Sequence, residues 1–404
     1  WSLLILSFIP ILLYIYLSIP IQTQPPQIDK DEFFGSGEMT KNDETSDPFT
    51  IQFTTQIKEM HRLAKKSVNE FTEGSLERRI VSFLSEFNWE QHSHFINSFP
   101  QFTTEIEGLS IHFVHTSLKH EKRVNALPIL LLPSSFSSFW SFFKLLPILS
   151  NPSRHGFHFG LTDNLVFNVV IPSYPMTLFS DSPRENNMDM VDVSRIMNKL
   201  MVDRLSYSKY YIYGDGGIGS EIGSIISTIY PSKVSGLIIK DPIISMDGMR
   251  RQAQLWIDSI FHGLIPSDSI ETKIPLLNDQ SFSSYIKYLI QRWRESSQLI
   301  NIDREITLDE ISTSFSLFIL TNSLKSHIDL LKSTIPHSIL EGTTTVSTFV
   351  ISSRTYQFHI PKSLLVHKFM NLTRYDEINH GGILYPLSKS SDLAQKIFSF
   401  IELC

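Results

Sequence analysis

The spacing best suited to chemistry is the run Gly214-Asp215-Gly216-Gly217-Ile218-Gly219-Ser220, which follows the apolar stretch Tyr210–Tyr213. A carboxylate held in a sharp strand-to-helix turn can attack an electrophile and form an ester with the protein. Such a turn is crowded, so the residues two before and two after its apex must be small. Around Asp215 these are Tyr213 and Gly217; around Gly217 they are Asp215 and Gly219. Tyr213 would crowd a turn centred on Asp215, which therefore reads as a loop residue accepting backbone N–H bonds. The run also spells Gly214-x-Gly216-x-x-Gly219, the spacing that cradles a pyrophosphate. That fingerprint belongs on the first strand of its domain, and three strand-like runs precede it here, so turn glycines explain it better.

Other reactive side chains are scattered. Ser134 and Ser135 lack the small-x-Ser-x-small surroundings of an elbow and read as loop serines. His112 and His115 share one strand-like run with no third ligand nearby, which argues for packed or exposed rings rather than a metal site. His380 reads as a solvent-facing loop residue. The single cysteine, Cys404, is terminal and offers no internal disulfide, Cys metal site or thiol nucleophile. A net charge of −6 without a long basic cluster argues against a nucleic-acid partner. No cofactor is expected.

The elements that must position these groups follow from hydropathy. With 404 residues, 42% apolar and 19% charged, the chain suits a large α/β unit with insertions. Residues 1–21 are uncharged and apolar, long enough for a membrane anchor, with a signal peptide as the rival reading. Residues 22–47 are polar and read as a linker. Helical periodicity covers 48–100, including one stretch at 75–99. Strand-like runs Ile111–His115, Pro128–Leu132, Leu165–Ile171, Tyr210–Tyr213, Gly236–Lys240 and Val346–Ile351 then alternate with helical ones. That alternation implies a mostly parallel sheet with helices on both faces. The rhythm breaks at about 245–340, which reads as a helical lid.

Several blocks in order resemble microsomal and juvenile-hormone epoxide hydrolases. They include Trp89, Asn97, Pro100 and Ile106-Glu-Gly-Leu109, then Pro128-Ile-Leu-Leu-Leu132, Pro172-Ser-Tyr-Pro175, Tyr211-Ile-Tyr-Gly214 and Ile218-Gly-Ser220. The resemblance spans about 48–403, with the N-terminal region at 48–118 and the core at 119–404. It implies an α/β-hydrolase fold with an N-terminal wrapping segment and a membrane helix. It also implies a carboxylate nucleophile, a His base oriented by a carboxylate, a backbone oxyanion hole and two lid tyrosines.

Position by position, those groups are replaced. The family elbow Gly-Gly-Asp-Trp-Gly-Ser, anchored on Gly219-Ser220, puts Gly217 at the nucleophile. The acid falls at Gln357 and the base at Ile383, after Gly381-Gly382. The oxyanion loop His-Gly-Trp-Pro-Gly becomes Pro133-Ser134-Ser135-Phe136-Ser137. A Gly-Tyr-Gly loop becomes Met176-Thr177-Leu178, and the second lid tyrosine becomes Leu331. Tyr285 and Tyr288 read as a helix face against the core. The expectation is a membrane-anchored, endoplasmic-reticulum homologue without catalysis that binds an apolar small molecule or a protein partner. The rival is an active hydrolase of lipophilic epoxides using Asp215 and His380.

Overall fold

A computed structural model describes residues 28, 32–36, 43–117, 125–156, 165–184, 188–242, 282–297, 302–333, 335, 339, 342–354, 360, 362–379 and 382–402. The expected anchor at 1–21, Gln357 and His380 lie outside them. Among the described residues no helix is long and apolar enough to cross a membrane.

One sheet of nine strands runs through the described residues: β1 (Ser46–Pro48), β2 (Gln101–Ile106), β3 (Leu109–Thr116), β4 (Asn125–Leu132), β5 (Leu165–Pro172), β6 (Tyr210–Gly214), β7 (Val234–Lys240), β8 (Thr348–Ser353) and β9 (Leu372–Ile378). Their order is β1-β2-β3-β5-β4-β6-β7-β8-β9. The pairings from β1 to β5 are antiparallel, whereas β5, β4, β6, β7, β8 and β9 run parallel. Each of the six runs read as strands falls within or overlaps one of these. The additional strands lack apolar continuity: β9 is mostly half-exposed and β1 is a three-residue exposed edge carrying Pro48. Edges bury one face at most, so hydropathy marks them weakly.

The inner parallel strands bury both faces. On β4, Ile129 and Leu131 enter one apolar cluster and Leu130 and Leu132 the other, the two-residue period of a pleated strand. Helices α1 (Thr55–Ser67), α2 (Leu76–Leu84), α3 (Trp89–Ile96) and α4 (Leu145–Ser150) belong to the first cluster. Helices α5 (Met190–Lys199) and α6 (Ile218–Ile229) cover the second. The expected helix at 75–99 is two helices. Asn88 ends the first reading by accepting the Gln91 N–H and starting α3 afresh.

Helices α7 (Phe282–Ser297), α8 (Leu308–Thr321) and α9 (Leu324–Leu331), at the place of the expected lid, follow β7 in the chain; α10 (Lys362–Lys368) follows β8 and α11 (Ser390–Ile401) follows β9. Thr307 and Glu310 form a capping box on α8, and Asn322 ends it in the left-handed conformation. Helices α1 and α2 pack on α7 and α8, and Arg294 pairs with Glu77 at 2.7 Å. The N-terminal helices thus pack on the helices that follow β7. The stretch expected as a linker also has fixed points: Phe34 is buried and its N–H bonds Glu107 O at 2.8 Å.

Candidate functional site

The carboxyl ends of β4, β6 and β7 meet where an α/β sheet places its chemistry. Strand β6 stops at Gly214 and α6 starts at Ile218, so the intervening turn is sharp. Two glycines permit it. A Cβ on Gly219 would meet Leu132 O at 2.5 Å, and one on Gly214 would meet Gly219 O at 2.6 Å. Close backbone approach, not phosphate binding, accounts for the Gly-x-Gly-x-x-Gly spacing.

Gly217 is the apex, with φ 69° and ψ −126°. A side chain there would be strained, and only glycine adopts such angles freely. In a working elbow the apex residue carries the nucleophile and the next N–H helps bind the oxyanion. Here the next N–H, of Ile218, donates to Ser135 Oγ at 3.1 Å. A Cβ on Gly217 would fall inside the contact radius of that same hydroxyl. Ser135 therefore fills the space that a nucleophilic side chain would need. Ser135 and Gly217 are half-buried, while Ser134, Asp215 and Gly216 beside them are buried. Ser134 turns inward and donates to Ser135 O at 3.2 Å.

Asp215 is 0% exposed and sits beneath the turn. Its Oδ1 accepts from Tyr213 OH at 3.0 Å and lies 3.3 Å from Lys240 Nζ. The expected backbone N–H donors are replaced by these two side chains. Lys240 also holds Asp241 at 2.8 Å, and Asp241 accepts the Ser353 N–H at 2.6 Å and its hydroxyl at 2.8 Å. Burial raises the Asp215 pKa to about 6, with Lys240 and the Tyr213 hydrogen bond opposing it. Asp215 Oδ2 has no partner among the described residues. The ionic cluster ties the ends of β6, β7 and β8 together. Its signal in the sequence was a Lys-Asp pair closing an apolar strand.

Ile383 lies in a short turn, Gly382–Leu384, and is 6% exposed within the larger apolar cluster. Gly382 has φ 41° and packs directly on the Ser296 carbonyl, leaving no room for a Cβ. Ile383 is thus core packing against the end of α7. Leu331 is half-buried at the end of α9 and touches both apolar clusters. Tyr288 is buried and Tyr285 half-buried on α7; neither hydroxyl has a partner among the described residues.

Sequence reasoning missed the residues that hold the lid to the loop after β4. His327 Nε2 accepts the Phe136 N–H at 3.0 Å, and Trp293 Nε1 donates to Phe136 O at 3.1 Å. The Phe136 ring meets Tyr288 and His327 edge-on at 5.6 Å and 5.5 Å. Both His327 and His112 are buried, which lowers their pKa values to about 4 and about 3. His112 bonds Ser173 Oγ at 2.9 Å and Gln101 Oε1 at 3.1 Å, a packed strand histidine. No group of His, Cys, Asp and Glu among the described residues is arranged to hold a metal.

The backbone adopts conformations here that its residues disfavour. Phe136, Met176 and Leu178 have φ of 58°, 68° and 52°. Each costs of order 1–3 kcal/mol relative to a relaxed residue.

Known proteins share this fold and part of this sequence. Residues 45–142 match the family model described as epoxide hydrolase N terminus. Juvenile hormone epoxide hydrolase 2 of Ctenocephalides felis is 29% identical over 235 residues, 55% of this chain and 48% of the relative. The chain therefore spans about half that relative's length. Epoxide hydrolase 1 of Sus scrofa is 26% identical over 420 residues, covering 91% of each chain. Among solved structures, juvenile hormone epoxide hydrolase from the silkworm Bombyx mori superposes with a TM-score of 0.79 at 20% identity, over 93% of this chain and 98% of that one. Aspergillus niger epoxide hydrolase gives a TM-score of 0.68 at 21% identity, over 89% and 96%. The chain has the α/β-hydrolase fold and is a homologue of epoxide hydrolase 1 and the juvenile hormone epoxide hydrolases.

Proposed function

We propose that this protein is a non-catalytic member of the epoxide hydrolase lineage that binds an apolar small molecule or a protein partner at the lid, tethered to a membrane by residues 1–21. The observation that carries the reading is the apex itself: Gly217 supplies no carboxylate, and Ser135 Oγ occupies both its space and the Ile218 N–H. The nearest replacement, Asp215, is buried and committed to Tyr213 and Lys240. The endoplasmic reticulum is the membrane this reading favours, by likeness to the homologues.

Following cis-stilbene oxide over time with purified protein tests the proposal. Loss of a nucleophile or base lowers rates by several orders of magnitude. The epoxide should disappear at the rate of buffer alone. Saturable diol formation above that rate would remove the proposal.

A further inference from the structure

Away from the elbow, a cleft of about 810 Å³ opens between α2, α3 and the start of α8. Among the described residues, the exposed large hydrophobics are Phe83, 36% exposed, and Phe95, 48% exposed, and both line this cleft. Phe95 packs edge-on against Trp140 and Phe143, which stack on each other at 4.1 Å. On the opposite side Phe83 adjoins Phe87, and Phe87 stacks on His92 at 4.3 Å.

Apart from His92, the ionisable lining is acidic. Glu86, Asp309 and Glu310 line the cleft, and no lysine or arginine does. Asp309 bonds His92 at 2.9 Å, and Glu310 pairs with Lys144 from outside the lining. Glu86 is exposed and has no ion-pair partner among the described residues. The chain itself already places a cation on this aromatic wall: Lys144 Nζ lies 5.6 Å from the Phe143 ring centroid. Aromatic faces and carboxylates together attract a positive charge, and their apolar area favours a hydrocarbon body beside it.

We propose that this cleft binds a small organic cation with an apolar body, a tertiary or quaternary alkylammonium, with the ammonium near Glu86 and the hydrocarbon against Phe83 and Phe95. Neither the proposed non-catalytic role nor the elbow is needed for it.

Calorimetric titration of the full chain with hexyltrimethylammonium, hexanol and hexanoate tests the idea. The three probes share a hydrocarbon body and differ in charge. The ammonium should bind about tenfold more tightly than the alcohol, and hexanoate more weakly than either. Glu86→Gln and Phe95→Ala alter exposed side chains, so both proteins should fold, and each should weaken ammonium binding several-fold. Equal affinity for ammonium and alcohol, no ammonium binding, or ammonium binding untouched by both substitutions would each overturn the proposal.

Discussion

Gly217→Asp by itself should destabilise the protein by roughly 2–6 kcal/mol and restore no chemistry. Two costs add. The apex dihedrals, φ 69° and ψ −126°, strain any residue with a side chain. The new Cβ also collides with Ser135 Oγ, which must give up its bond from the Ile218 N–H to move away. Adding Ser135→Gly removes the collision and frees that N–H, so the double variant should regain about half the lost stability. Thermal denaturation of the wild type and the two variants measures this directly. A single variant as stable as the wild type would mean that the loop after β4 is not seated as described. On the proposed reading, which puts Gln357 and Ile383 at the acid and base positions, activity needs those replaced as well. Rebuilding the base also meets resistance, since Ile383 is core and its neighbour Gly382 is pressed against Ser296.

The second large effect concerns Lys240. Lys240→Met keeps the apolar stem and removes the charge, leaving Asp215 and Asp241 buried at 0% and 4% exposure without their shared cation. Breaking a buried ion pair from one side typically costs about 3–5 kcal/mol. The pH dependence has a fixed sign. Burial raises the folded Asp215 pKa from 3.8 to about 6 even with Lys240 present. Such a group contributes stability that is complete below its unfolded pKa and is lost as pH rises through the folded one. In the wild type that loss amounts to roughly 3 kcal/mol across about pH 4 to 7. Removing the cation raises the Asp215 pKa further, so Lys240→Met should hurt most at neutral pH and least in acid. Asp215→Asn should be neutral or stabilising above about pH 6, and should rescue part of the Lys240→Met loss. Melting temperatures across that pH range decide it. Marked destabilisation by Asp215→Asn at neutral pH would contradict the assignment of Asp215 as a buried charge carried at a cost.

How much of this was legible in the sequence depended on where each residue sits. Strands β4, β5, β6 and β7 are buried on both faces, so their apolar runs stood out. Strand β9 mixes Arg374, Asp376 and Glu377 into a half-exposed edge, and periodicity gave it no signature. At the site, close backbone contacts require glycine at 214 and 219, and such contacts leave a spacing signal. Contacts between distant segments left none. The seat of Ser135 on the Ile218 N–H joins residues 83 apart, and that of His327 on the Phe136 N–H joins residues 191 apart. The loop after β4 also defied composition. It holds serines and no glycine, yet it turns with Phe136 at positive φ, held on both backbone atoms by His327 and Trp293.

The central claim is that no carboxylate of the elbow attacks an epoxide. In the ester mechanism, water attacks the acyl carbon, its oxygen stays in the protein carboxylate, and the former carboxylate oxygen leaves in the diol. Incubating the protein with cis-stilbene oxide in ¹⁸O-enriched water, then weighing the peptide that contains Asp215, reads that step on the residue itself. A peptide of unchanged mass is the expected result; epoxide-dependent incorporation of heavy oxygen into Asp215 would contradict a non-catalytic elbow.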